Sequence, residues 1–229
     1  MLRPARWLPA AALLCALPAH ALDTVEPFPE GATDVEVYAG GVGLGAAPGV
    51  LARFQLGYGF TERVSGYLYG AASGTRLREL DKELSVGLYG TLVDTAHLDL
   101  DLFLDLGLEG GARMAPALAP GVEVTFELGA FGLYAMVWEA LGGGRACTEV
   151  GLGALWNLSE GHQLLVQVDS VGHLRPEDGQ GRWAVGGVGF GYNVRVHESV
   201  EVINEVRGEL SAGRPVVLAV STGLLVTLQ

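Results

Sequence analysis

Asp99, Asp101, Asp105 and Glu109 are separated by even numbers of residues, and Glu123 and Glu127 follow with the same spacing. Even spacing puts side chains on one face of an extended chain and would scatter them around a helix. Carboxylates gathered on one face draw in cations, and they need water or basic partners if they are enclosed. Arg53 and Arg207 fall on the matching face of their own segments and are the candidate counter-charges to an acidic cluster of Asp99, Asp101, Asp105, Glu123 and Glu127. The chemistry this pattern suits is the sorting of ions.

Catalysis needs different residues in different places. A nucleophile must meet a base, yet His97, His162 and His197 fall at expected turns, and alternation sends Ser170 to the face opposite Asp169 and His173. The sequence has no closely spaced cysteine pair, no His-Glu-x-x-His and no helix-loop-helix calcium loop, so neither a metal nor a catalytic site is expected. Gly40-Gly41-Val42-Gly43 and Gly186-Gly187-Val188-Gly189 look like phosphate loops but lack the following helix with its lysine. They read as close backbone packing or strand bending, and no cofactor is expected.

The elements that must position the carboxylates are strands. Between His97 and Glu109, leucines occupy every second position from Leu98 to Leu108, opposite His97, Asp99, Asp101, Phe103, Asp105, Gly107 and Glu109. The same alternation marks about twelve strands: 33–44, 50–60, 63–72, 80–93, 97–109, 117–128, 131–140, 146–158, 162–171, 182–196, 199–210 and 216–229. Their length, roughly ten residues, suits a tilted crossing of a bilayer. The connections alternate between longer Gly-, Pro- and charge-bearing loops and tight turns, the pattern of an up-and-down transmembrane barrel with loops outside and turns in the periplasm. Tyr58, Phe60, Phe126, Trp156, Phe190 and Tyr192 fall near the turn ends, and Trp138 near a loop end, where they read as outward-facing interfacial aromatics.

Composition agrees. Hydrophobic residues make up 49% of the chain and charged residues 17%, with 35 glycines, and the mean hydropathy is +0.33. The apolar residues are thus dispersed by alternation. Arg3 and Arg6, the apolar run from Leu8 and the small residues of Ala19-His20-Ala21 read as a signal peptide over 1–21. A periplasmic N-terminal segment over 22–32 and an outer-membrane barrel over 33–229 would follow. Loss of Arg3 and Arg6 would take the formal net charge from −12 to about −14, which excludes nucleic-acid binding through phosphates. Leu14 does not fit the position before a lipoprotein cysteine at Cys15, and Cys147 is then the remaining cysteine, read as a small apolar strand residue.

Over the mature length the chain resembles small Gram-negative outer-membrane barrel proteins. Glu26-Pro27-Phe28-Pro29-Glu30-Gly31 followed by Val35-Glu36-Val37-Tyr38 is similar to the opening of the aromatic-compound channels, the phenol meta-pathway-like family. That resemblance implies outer-membrane lipids as surroundings and small solutes as partners. Periodicity does not distinguish inside from outside, so a soluble barrel with its leucines inward and a β-sandwich remain alternatives. Two functions are open. One is a passive, cation-preferring channel; the other is a non-conducting barrel whose loop residues Arg76, Arg78, Arg113, Arg145, Arg175 and Arg182 contact lipopolysaccharide phosphates. A hairpin turning about Met114 would set Asp101 opposite Glu127 and Asp105 opposite Glu123.

Overall fold

The computed structural model describes residues 28–43, 48–74, 80–110, 114–142, 145–173, 183–209 and 217–228. Residues 1–21 and the start of the 22–32 segment lie outside the described residues, as do Arg76, Arg78, Arg113, Arg175 and Arg182. The strands are β1 (Thr33–Val42), β2 (Gly49–Thr61), β3 (Val64–Gly74), β4 (Asp81–Thr95), β5 (Leu98–Gly110), β6 (Ala115–Leu128), β7 (Phe131–Gly142), β8 (Arg145–Ser159), β9 (His162–His173), β10 (Trp183–His197), β11 (Val200–Glu209) and β12 (Val217–Leu228). Each pairs antiparallel with its neighbours in sequence, and β1 pairs with β12 to close the barrel. Closure leaves no unpaired sheet edge.

The leucines face outward. Leu102 and Leu106 are 45% and 51% exposed, whereas Asp101 and Asp105 between them are 5% and 8% exposed. A water-soluble barrel would hide the first set and show the second, so the inside-out barrel and the sandwich are both overturned. Apolar outer surface continues around the wall through residues such as Phe54, Leu88, Leu133, Val166, Val206 and Leu224.

Tight turns at Glu62-Arg63, Ala96-His97, Gly129-Ala130, Glu160-Gly161 and Glu198-Ser199 gather at the end that also carries the start of β1. Gly129 and Gly161 take positive φ, 71° and 84°, which a side chain would strain. Four of these hairpins fit one extra residue into a strand just before the turn, at Phe60, Leu92, Leu158 and Val196. All four of these apolar residues are exposed, so each bulge adds to the outer surface.

Inside, aromatic rings lie across glycines on the next strand. Tyr67 faces Gly87, Phe103 faces Gly121, Tyr134 faces Gly153 and Tyr38 faces Gly223 as direct cross-strand partners. A Cβ at any of these glycines would come within 2.0–2.4 Å of the ring. These rings join Tyr69, Tyr89, Met136 and Trp138 as buried residues of the interior. Trp138 corrects the expectation of an outward aromatic belt at that point: it is 2% exposed and shares the inward face of β7 with Tyr134 and Met136.

Candidate functional site: the barrel interior

Two arginines anchor one part of the lining. Arg53 of β2 donates to Glu205 Oε2 of β11 at 2.5 Å and to Ser221 Oγ of β12 at 3.1 Å, and its guanidinium stands 4.6 Å from the centre of the Tyr38 ring. Tyr38 in turn donates to Glu36 Oε2 at 3.3 Å. Arg207 of β11 donates to Asp169 Oδ2 of β9 at 2.5 Å. Asp169 also accepts from Gln167 Nε2 at 2.5 Å, and Gln167 Oε1 accepts from the Tyr134 hydroxyl at 2.8 Å. The charges of Arg53, Glu205, Arg207 and Asp169 are therefore paired and further hydrogen-bonded, the condition for tolerating them in a low-dielectric interior.

The glycine-rich runs make these pairs reachable. Arg207 and Asp169 belong to strands on either side of β10, which presents Gly187 and Gly189 between them. A side chain there would stand between the two ions. On the far side Arg53 reaches past β1, where Gly40 lies beside Ser221. Apart from Gly43, just past the end of β1, the two runs thus lie in strands, and their inward glycines leave room in the lining for long side chains.

The part of the lining built by β3 to β8 is different. Tyr67 donates to Asp105 Oδ1, Thr91 Oγ1 donates to Asp101 Oδ1 at 2.6 Å and Thr125 Oγ1 to Glu123 Oε1 at 3.3 Å. Asp101 is paired directly with Glu123, Glu83 with Glu109 and Asp94 with Asp99. Tyr67 and Tyr89 have ring centroids 5.0 Å apart, and Tyr89 and Phe103 5.9 Å.

The strand register corrects the expected carboxylate pairs. Asp101 stands opposite Glu123, Asp105 opposite Ala119 and Asp99 opposite Thr125. The hairpin is shorter than expected because β6 begins at Ala115 and takes Pro116 into the strand, whereas proline had marked the loop. Glu127 moves out of the cluster. It pairs with Gly132 and is exposed beside the Gly129-Ala130 turn, and its backbone N–H donates to His97 O at 3.1 Å. Asp99 is half-buried, also toward the turn end. Asp101, Asp105 and Glu123 remain together inside with Arg53 and Arg207 on the opposing wall.

Phe103 was already on the polar face in the alternation from Leu98 to Leu108, and Tyr67, Tyr89 and Tyr134 share the inward face of their own strands, but a common aromatic lining was not read from them. Asp169 is turned inward and held by Arg207 and Gln167, while Ser170 belongs to the other face of β9, so the two do not share a face. Cys147 is buried, and among the described residues no group of His, Cys, Asp and Glu is placed to hold a metal ion.

This architecture is shared with known channels. The NanC porin superposes with TM-score 0.68 at 8% sequence identity, covering 85% of this chain and 100% of its own. The KdgM porin in complex with disordered oligogalacturonate gives 0.65 at 7% identity, with coverage of 86% and 99%. An outer membrane channel from Pseudomonas putida F1 gives 0.66 at 11% identity, with coverage of 89% and 97%. No protein-family model and no curated protein sequence matches the chain. At these identities the likeness is one of fold: a closed, antiparallel, twelve-stranded barrel.

Proposed function

We propose that the chain is an outer-membrane barrel that conducts small solutes passively and prefers cations. The observation that carries this reading is the inversion of the wall, with leucines outside and carboxylates inside. Lipid is the surrounding that such an outer face fits, and a polar lumen is its counterpart. The channels that share the fold support the class of function. Cleavage after residue 21 would deliver the chain to the periplasm for insertion, and terminal sequencing of outer-membrane material should begin at Leu22.

Cation preference follows from the lining. Two carboxylates, Glu205 and Asp169, are matched by Arg53 and Arg207, while Asp101 and Asp105 are held by hydroxyl groups, which leave their negative charge in place. A ring of acidic side chains favours cations. Reversal potentials across a potassium chloride gradient test it: potassium preference that falls when Asp101, Asp105 and Glu123 are neutralised supports the reading, and chloride preference overturns it. The tyrosine and phenylalanine faces would also stack on flat solutes, which accords with the resemblance to aromatic-compound channels.

A second reading rests on the same rings. Tyr67, Tyr89, Phe103, Tyr134, Met136 and Trp138 form a buried cluster inside the barrel, as they would in a non-conducting barrel that acts through its loops at lipopolysaccharide. Conductance in planar bilayers separates the two readings.

A further inference from the structure

Phe28 to Ala32 precede β1 and fold into the end of the barrel that carries the tight turns. Glu30 forms a parallel bridge with Gly59 of β2. Gly31 N donates to Gly59 O at 2.9 Å, Gly59 N to Ala32 O at 3.1 Å, and Ala32 N to Pro29 O at 2.9 Å. Because the segment runs parallel to β2, which descends toward the turns, Phe28 lies deeper in the barrel than Glu30. Its ring is 8% exposed and belongs to the interior aromatic cluster.

The wall is shaped to receive this strap. A Cβ at Gly57 would stand 2.2 Å from Phe28 Cζ, and the three nearest atoms all belong to that ring. A Cβ at Gly59 would stand 2.1 Å from Pro29 O and 2.4 Å from Phe28 O. Neither glycine has the positive φ that would explain it as a turn residue, and glycine inside a strand weakens the strand. Two such glycines, both inward and both filled by the same short segment, form a socket.

We propose that Phe28, seated on Gly57, is the constriction that sets the size limit of the pathway through the barrel. The proposal rests on the channel reading. The ring is attached through a segment outside the strand ladder, held by few backbone hydrogen bonds, so removing it opens the mouth without breaking the wall.

The test uses the full mature chain in planar bilayers: wild type, Phe28→Ala, Gly57→Ala and the double variant, each first shown to be folded by heat-modifiable migration on gels. Phe28→Ala deletes the ring and Gly57→Ala displaces it. Both should raise single-channel conductance to the same level, on the order of two-fold or more, and the double variant should go no higher. Gly70→Ala is the control, because a Cβ there would meet Phe54 at 2.3 Å on the outer side of the same wall and should leave conductance unchanged. A silent wild type with conducting variants also supports the constriction. A conducting wild type matched by both variants overturns it and leaves the channel reading standing; an equal rise in Gly70→Ala overturns it as mere loosening. Folded barrels that never conduct, strap displaced or not, sink the channel reading and this inference together.

Discussion

The wall built from β9 to β12 with β1 and β2 holds two of its buried carboxylates, Glu205 and Asp169, with guanidinium groups, whereas the wall built from β3 to β8 holds Asp101, Asp105 and Glu123 with hydroxyls and surrounds them with rings. Arg53–Glu205 and Arg207–Asp169 are the pairs of the first wall. Thr91–Asp101 and Tyr67–Asp105 are the contacts of the second, and among the described side chains of its lining there is no arginine or lysine. Pairing cancels the charge of Glu205 and Asp169 in the first wall, while hydroxyl donors satisfy oxygens of Asp101 and Asp105 in the second and leave the charge. A net charge counted over the chain therefore hides the feature that matters to an ion, which is the side of the lumen on which the negative potential remains.

The largest effect that would test this contrast comes from breaking an ion pair. Arg53→Met strands Glu205 in the interior and should cost about 3–5 kcal/mol, read from denaturant unfolding of the barrel in detergent. Asp105→Asn on the other wall keeps an acceptor for the Tyr67 hydroxyl and should cost only about 1 kcal/mol. Equal losses would erase the distinction between the walls. Next in size is the outer face that both walls share: Leu104→Arg should cost about 2–4 kcal/mol in a bilayer. The same substitution at Thr125, which faces inward, should cost less. If both positions tolerate it equally, the leucine face does not meet lipid.

A smaller effect distinguishes the two uses of glycine. In the aromatic wall Gly87→Ala drives a Cβ to 2.0 Å from the Tyr67 ring and should cost about 1–3 kcal/mol. In the arginine wall Gly187→Ala meets its nearest atom at 3.3 Å, with the flexible Arg207 side chain just beyond, and should cost less than about 1 kcal/mol. Unfolding midpoints of the two variants, measured together, show whether a glycine admits a ring or only leaves room for a long side chain.

The division of labour explains what could be read from the sequence. The strands were legible because the Leu98-to-Leu108 alternation and its counterparts fix the period, and each strand end falls within two residues of its expected place. Direction was not legible in the alternation itself, since a period of two has no inside, and came instead from the strand number and the alternation of long loops with tight turns. The pattern of Leu102 beside Asp101 is the same whether lipid or water lies outside. Trp138 was misassigned because its face was judged by its own hydrophobicity. The faces of Tyr134 and Met136, four and two residues earlier, would have placed it correctly. Phe28 was read as part of a separate segment because nothing local reveals that Gly57, far along the chain, is its seat.

The smallest predicted effect is the most exacting for the acidic wall, because it asks which carboxylate faces Asp101. A hairpin centred on Met114 would choose Glu127, and the register of β5 with β6 chooses Glu123. Glu123 is buried beside Asp101, whereas Glu127 is exposed at the turn, where water and salt screen it. Like charges directly opposite on neighbouring strands destabilise each other, by roughly 0.2–1 kcal/mol. Asp101→Asn should therefore be more favourable in the presence of Glu123 than in a Glu123→Gln background. A double-mutant cycle on unfolding free energies should give a coupling of about 0.5 kcal/mol for that pair and none resolvable for Asp101 with Glu127. The same order should appear in conduction, with Glu123→Gln lowering potassium preference and Glu127→Gln leaving it unchanged. Coupling that appears with Glu127 and vanishes with Glu123 would restore the longer hairpin and move the acidic cluster down to the mouth.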